Sequence, residues 1–192
     1  MGGKKADFRT IDEYLEFENS SDSKHEYENG RVLAMSGGTF NHGILCSAAY
    51  REISNLLEAK GIDCTSIGSE VRVHIEKANS IVYPDTMVIC GEIQMSEQDS
   101  EAVINPMVIV EVLSKSTESY DRGDKFYKYG QLASFKEYIL IHQDSPTIES
   151  FYRKEQDYWQ ISRTIGLSKQ HTILSLDIAI DMQRLYQKVN LD

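Results

Sequence analysis

The sequence predicts an α/β (α+β) fold: a mixed β-sheet flanked by helices, with a helix and a hairpin at the N-terminal end. Three observations carry this. Helical and strand-like hydrophobic periods follow one another in the order helix, hairpin, helix, strands, helix, strands, which suits a mixed sheet with helices packed on it. The segment Met107-Val108-Ile109-Val110-Glu111-Val112-Leu113 is apolar on both faces, as a central strand must be. Glu70 to Ile75 alternates polar and apolar residues, as a half-buried strand does.

Each element has a local reason. Thr10-Ile11-Asp12-Glu13 reads as a capping box that opens a short helix with Ile11, Tyr14 and Leu15 on one face. Lys24 to Met35 reads as a hairpin turning at Asn29-Gly30, because both residues accept positive φ. Thr39 or Asn41 caps a longer helix that runs to about Lys60 and stops at Gly61. Its stripe is Ile44, Leu45, Ala48, Ile53, Leu56 and Leu57. Ile81 to Cys90 is a strand interrupted by Pro84. A helix over about Tyr120 to Leu132 is followed by the strand Glu137 to His142, a Ser145-Pro146 turn, and strands near Ile148 to Arg153 and Tyr158 to Ser162. A last short helix includes Met182 to Val189. No linker divides the chain, so residues 1–9 read as a flexible tail and 10–192 as a single domain.

Composition narrows the function. A chain of 192 residues buries a core without disulfides or metal staples. The net charge of −10 counts against a broad, nonspecific nucleic-acid binder, which would be basic. It leaves room for an enzyme on nucleic acid, since metal ions offset acidic residues at a site. No run approaches the roughly 18 apolar residues of a membrane span, and no basic-then-apolar leader is visible, so the expectation is a cytoplasmic protein with no membrane contact. Cys46, Cys64 and Cys90 are odd in number, widely spaced and without a CxxC pair. That argues against a zinc site and a disulfide framework, for a reducing cytoplasm, and for each cysteine as a small buried hydrophobe. Serine-elbow, Walker, dinucleotide and HExxH motifs are absent.

Two carboxylates stand out. Glu111 lies inside the most apolar strand, where burial costs several kcal/mol unless the group is paired, hydrogen-bonded or metal-bound. The alternative is a solvated strand end or a core arginine partner. Asp85 is flanked by apolar residues on both sides, and the preceding Pro84 implies an edge or a bulge that re-aims it. The alternative is a turn in which Asp85 caps an amide. Two converging strand carboxylates are hard oxygen ligands for Mg²⁺ or Mn²⁺, which suits phosphodiester hydrolysis.

At this point the residues reach a family. Pro84-Asp85 followed by Glu111-x-Leu113 resembles the PD-(D/E)XK nuclease superfamily. The ordered set His25-Glu26-Tyr27, Asn29-Gly30, Met35-Ser36-Gly37-Gly38, Asn41-His42, Tyr83-Pro84-Asp85, Glu111-Val112-Leu113-Ser114, Ser116-Thr117, Tyr120-Asp121-Arg122-Gly123-Asp124-Lys125 and Tyr129 resembles the Uma-type putative restriction endonuclease family over residues 10–190. The resemblance implies a restriction-endonuclease-like core and a metal-dependent endonuclease acting on DNA, with Asp85 and Glu111 as ligands of Mg²⁺ or Mn²⁺. The superfamily lysine two residues after the glutamate is Leu113 here. The superfamily moves that lysine to a following helix in some members, so the role passes to Lys125, four residues from Asp121; a solvated ion pair between those two is the alternative. Glu26 matches an acidic position and is the fourth candidate catalytic residue, against an ordinary strand glutamate. Lys115, Arg122, Lys128 and Lys136 offer a basic rim, or a plain mixed surface. Glu70 reads as solvated, His42 as a capping or packing residue, and Tyr120, Tyr127 and Tyr129 as core and helix face. Gly37-Gly38 is too short a loop to cradle phosphate. A homodimer is compatible with cutting two strands. Leu113 and the acidic charge support a rival reading, a catalytically degenerate nuclease fold that binds a partner.

Overall fold

The computed structural model describes residues 10–35, 37–155 and 158–191, together with the backbone of residues 6–7. In chain order it forms β1 (Ala6–Asp7), α1 (Ile11–Glu18), β2 (His25–Glu28), β3 (Arg31–Ala34) and α2 (Phe40–Lys60). Then come β4 (Cys64–Gly68), β5 (Arg72–Ile75), β6 (Ser80–Val82), β7 (Thr86–Cys90), β8 (Ala102–Val103) and β9 (Val108–Leu113). A helical segment follows: α3 (Glu118–Tyr120), a π-helical turn (Asp121–Lys125) and α4 (Phe126–Tyr129). The rest is β10 (Glu137–His142), β11 (Thr147–Glu155), β12 (Tyr158–Ile165), β13 (Gln170–Ile173), β14 (Ile178–Asp181) and α5 (Met182–Leu185).

Two six-stranded sheets organise the molecule, ordered β1-β3-β2-β6-β5-β8 and β12-β11-β10-β9-β7-β4, beside the β13-β14 pair. Strand β9 sits inside the second sheet, parallel to β10 and antiparallel to β7, and all of its residues are buried. Its alternation sorts the core. Val108, Val110 and Val112 pack with Leu45, Ala49 and Ile53 of α2 and with the β14–α5 end of the chain. Ile109 and Leu113 pack instead with Val73, Ile75, Tyr129, Phe135 and Tyr138. Glu111 shares their parity, so it faces the side covered by the first sheet and by α4.

Several expectations hold in detail. Thr10 and Glu13 complete both halves of the capping box, at 3.2 Å each. Asn29 and Gly30 have φ of 47° and 84° and turn the β2–β3 hairpin. Thr39, rather than Asn41, caps α2 by accepting the His42 N–H at 3.1 Å, and Gly61 ends it with φ of 64°.

Others need correction. Residues 81–90 are not one interrupted strand. Pro84 supplies no ladder donor, and the chain changes sheet there: β6 belongs to the first sheet and β7 to the second. The expected helix over 120–132 starts earlier, ends at Tyr129 and contains the π-helical turn. The last helix stops at Leu185. Cys64 and Cys90 face each other across β4 and β7 and are disulfide-bonded, so the cysteine argument for reducing surroundings does not hold. The tail reading falls outside the described residues except at Ala6–Asp7, which pair with β3. Among the described residues, no helix is long and apolar enough to cross a membrane.

Candidate active site

Strand pairing creates the central contact. Thr86 of β7 stands opposite Val110 of β9, so Asp85 comes to stand beside Glu111. The Asp85 N–H donates to Glu111 Oε2 at 3.3 Å, and Asp85 Oδ2 accepts the Val112 N–H at 2.7 Å. The sheet change at Pro84 therefore does what a bulge was expected to do: it aims Asp85 at the neighbouring strand.

The first sheet supplies Glu26, from the buried part of β2. Its Oε1 accepts the Tyr83 N–H at 3.1 Å, and its Oε2 accepts the Tyr120 hydroxyl at 3.1 Å. Lys125 ends the π-helical turn. Its ammonium lies 2.9 Å from Glu111 Oε1 and 3.3 Å from Glu26 Oε1, and it donates to the Tyr83 carbonyl at 3.1 Å. Tyr129 donates its hydroxyl to Glu111 Oε1 at 3.1 Å.

Glu26, Tyr83, Asp85, Glu111 and Lys125 line a cavity of about 360 Å³ that also takes in Gly38, His42, Ser114, Thr117, Tyr120 and Asp121. Four carboxylates (Glu26, Asp85, Glu111, Asp121) share it with one lysine. Burial pushes the Glu111 carboxyl well above the usual range, and the Lys125 charge opposes this. For Lys125, burial acts downward, but Glu111 and Glu26 win and hold the ammonium charged. Burial also acts to raise Asp85; the hydrogen bond and charge of His42 override it and keep that carboxyl low. Asp121 is raised by burial. An acidic excess of hard oxygens around one cavity fits a divalent cation, so the donor set and the metal that the resemblance implies are chemically compatible.

All four candidate catalytic residues thus meet: Asp85, Glu111, Lys125 and Glu26. Asp121 and Lys125 are both buried, not a solvated surface pair. His42 is not a cap: its N–H is the donor that Thr39 caps, and its ring packs against Cys46 with Nε2 3.4 Å from Asp85 Oδ2. Its local sequence carried no sign of a place in the cavity beyond the family pattern that includes Asn41-His42, because only the fold brings α2 to the Pro84 joint. Tyr129 is core, Tyr127 is exposed, and Tyr120 belongs to the cavity. Of the four residues read as a basic rim, Arg122 is paired with Glu118 and Glu149 and Lys128 with Glu28, while Lys115 and Lys136 are exposed. Glu70 is exposed, pairs with Lys24 at 2.7 Å, and lies outside the cavity.

A mixed sheet presenting adjacent carboxylates beside a buried lysine is the architecture of a nuclease-like α+β protein. The fold matches a solved chain from Anabaena variabilis titled a putative nuclease belonging to DUF820, with a TM-score of 0.75 and 14% identity over 94% of this chain and 99% of that one. The chain belongs to the Uma2 family, described as putative restriction endonuclease, which matches residues 11–184. Two proteins of Synechocystis sp. are similar in sequence. Uncharacterized protein slr1290 is 32% identical over 78% of this chain and 77% of its own length. Uncharacterized protein sll1609 is 31% identical over 82% and 88%.

Proposed function

We propose that this chain is a divalent-metal-dependent endonuclease that hydrolyses phosphodiester bonds in DNA. The observation that carries the reading is the convergence of Asp85, Glu111, Glu26 and Lys125 on one cavity. On this reading Asp85 and Glu111 hold Mg²⁺ or Mn²⁺, ions that use one or two carboxylates and fill their remaining positions with water and phosphate. When bound, the ion supplies Lewis acidity toward a phosphoryl oxygen and makes nearby water a better nucleophile.

The chain's own groups do the rest. Lys125 points its charge at the carboxylate pair and stabilises negative charge building on the phosphorus centre or orients the attacking water. Its three hydrogens are already engaged, so a phosphate oxygen must displace Glu26 or the Tyr83 carbonyl to reach it. Glu26 assists by holding Lys125 in reach, and Tyr120 and the Tyr83 N–H fix Glu26 in turn. Two copies related by a twofold axis would place one site on each DNA strand.

The test is nicking of supercoiled plasmid by purified protein in Mg²⁺ or Mn²⁺. Wild type is expected to nick, and Asp85→Ala to lose nicking by orders of magnitude; retained nicking in that variant sinks the site. One observation favours a second reading, a degenerate fold that binds a partner: the position of the superfamily lysine is Leu113, buried in the core. That reading predicts a folded chain without metal-dependent cleavage and a partner recovered by pull-down.

A further inference from the structure

His42 and Cys46 are four apart on α2, hence on one face. That face meets Asp85 at the sheet change. His42 Nε2 lies 3.4 Å from Asp85 Oδ2 and 4.0 Å from Cys46 Sγ, which is nearer to Nδ1 at 3.4 Å, and one ligand atom from each residue lies within 4.8 Å of the others. Zinc holds nitrogen, oxygen and sulfur at about 2.0 to 2.3 Å, so donors sharing one ion sit about 3.3 to 4 Å apart. Small inward shifts bring this trio to that spacing. A second feature orients the imidazole: a Cβ at Gly38 would lie 2.6 Å from His42 Nδ1, so the bare glycine backbone is what lets the loop close against the ring. His42 and Asp85 line the cavity while Cys46 stands behind them.

We propose that His42, Cys46 and Asp85 form a second cation site, for a borderline-soft divalent metal of the Zn²⁺ class. Thiolate and imidazole select such ions over Mg²⁺. Three protein donors leave a fourth position open to the cavity, the pattern of sites that bind water or substrate. The absence of a CxxC pair excludes a paired-cysteine site, not a single cysteine joined by histidine and aspartate. Binding replaces the Sγ–H bond by a metal–sulfur bond and releases that proton to solvent. The site shares Asp85 with the nuclease reading but stands without it, since its donors include neither Glu111 nor Lys125.

Co²⁺ is the probe, added to the full chain with its Cys64–Cys90 disulfide intact, so that Cys46 is the one free thiol. Sulfur-to-cobalt charge-transfer absorption is expected on titration, displaced stoichiometrically by Zn²⁺ and absent in Cys46→Ser. Zn²⁺ affinity is expected to fall in Cys46→Ser and in His42→Gln by more than the roughly 10- to 100-fold that outer partners of a metal cost. No charge-transfer absorption from wild type overturns the site, and that readout needs no variant to fold. Unchanged Zn²⁺ affinity in Cys46→Ser overturns it as well. Glu111→Gln is expected to keep the cobalt absorption while losing Mg²⁺-dependent nicking, and loss of the absorption there overturns a site built without Glu111. Absorption without any nicking by wild type counts against the nuclease reading alone.

Discussion

Lys125 gives its ammonium hydrogens to Glu111, Glu26 and the Tyr83 carbonyl, and the residue is buried. Removing one partner of a buried ion pair strands the others, at about 3 to 5 kcal/mol. Lys125→Met is therefore expected to lose nicking and to lower the stability measured by denaturant unfolding by about that amount. The loss should shrink in mild acid, because burial already pushes the Glu111 carboxyl up and a proton then replaces the missing ammonium. His171 offers a separate pH test. It is buried, with Nδ1 3.0 Å from Thr164 Oγ1, and burial holds its pKa down from 6.5 to about 4. The folded state keeps it neutral while the unfolded chain takes up a proton below 6.5. Stability should then fall between pH 6.5 and about 4, by up to about 1.4 kcal/mol per pH unit, and His171→Gln should flatten that slope in unfolding titrations. Asp85 and Glu111 were legible as residues because carboxylates in apolar strands demand a partner. His42 and Asp121 were read for local roles, since neither sequence neighbourhood reports what the fold later brings beside it.

At the scale of elements, the π-helical turn decides where Lys125 points. A plain α-helix advances about 100° per residue, and the wider turn absorbs an extra residue before α4 resumes. Gly123 lies in that turn, and a Cβ there meets nothing within 4 Å. Gly123→Ala is thus expected to nick DNA like wild type and to gain up to about 1 kcal/mol in unfolding measurements. Deleting Gly123 should instead restore α-helical winding, rotate Lys125 out of the cavity and abolish nicking while the chain still folds. Periodicity located this helix but not the turn inside it, since hydrogen-bond type leaves no mark on a hydrophobic stripe. The same holds for β4: Cys64-Thr65-Ser66-Ile67-Gly68 lacks an alternating apolar face and is a strand only because β7 pairs with it. Helix α2 was readable end to end because cap, stripe and glycine stop all agreed.

Over the whole molecule, long-range pairing closes what local signals leave open. The Cys64–Cys90 disulfide spans a sequence separation of 26 and ties the edge strand β4 to β7. Reducing it should lower unfolding stability by about 3.5 kcal/mol on the chain-entropy account, read as a shift of the denaturant midpoint with and without dithiothreitol. An unchanged midpoint would mean the edge strand is held by its ladder alone. The order of patterns revealed a mixed fold, yet not that strands on either side of Pro84 belong to different sheets, because a proline shows that a ladder stops and not where the chain goes next. Glu26 rides on one sheet and Glu111 on the other, while Lys125 belongs to neither. Its ammonium thus meets one carboxylate from each sheet, over the packed side chains that the two sheets share. An isotope-labelled Lys125 ammonium would therefore serve as a gauge of sheet alignment, able to sense a substitution far from the cavity before any loss of fold is measurable.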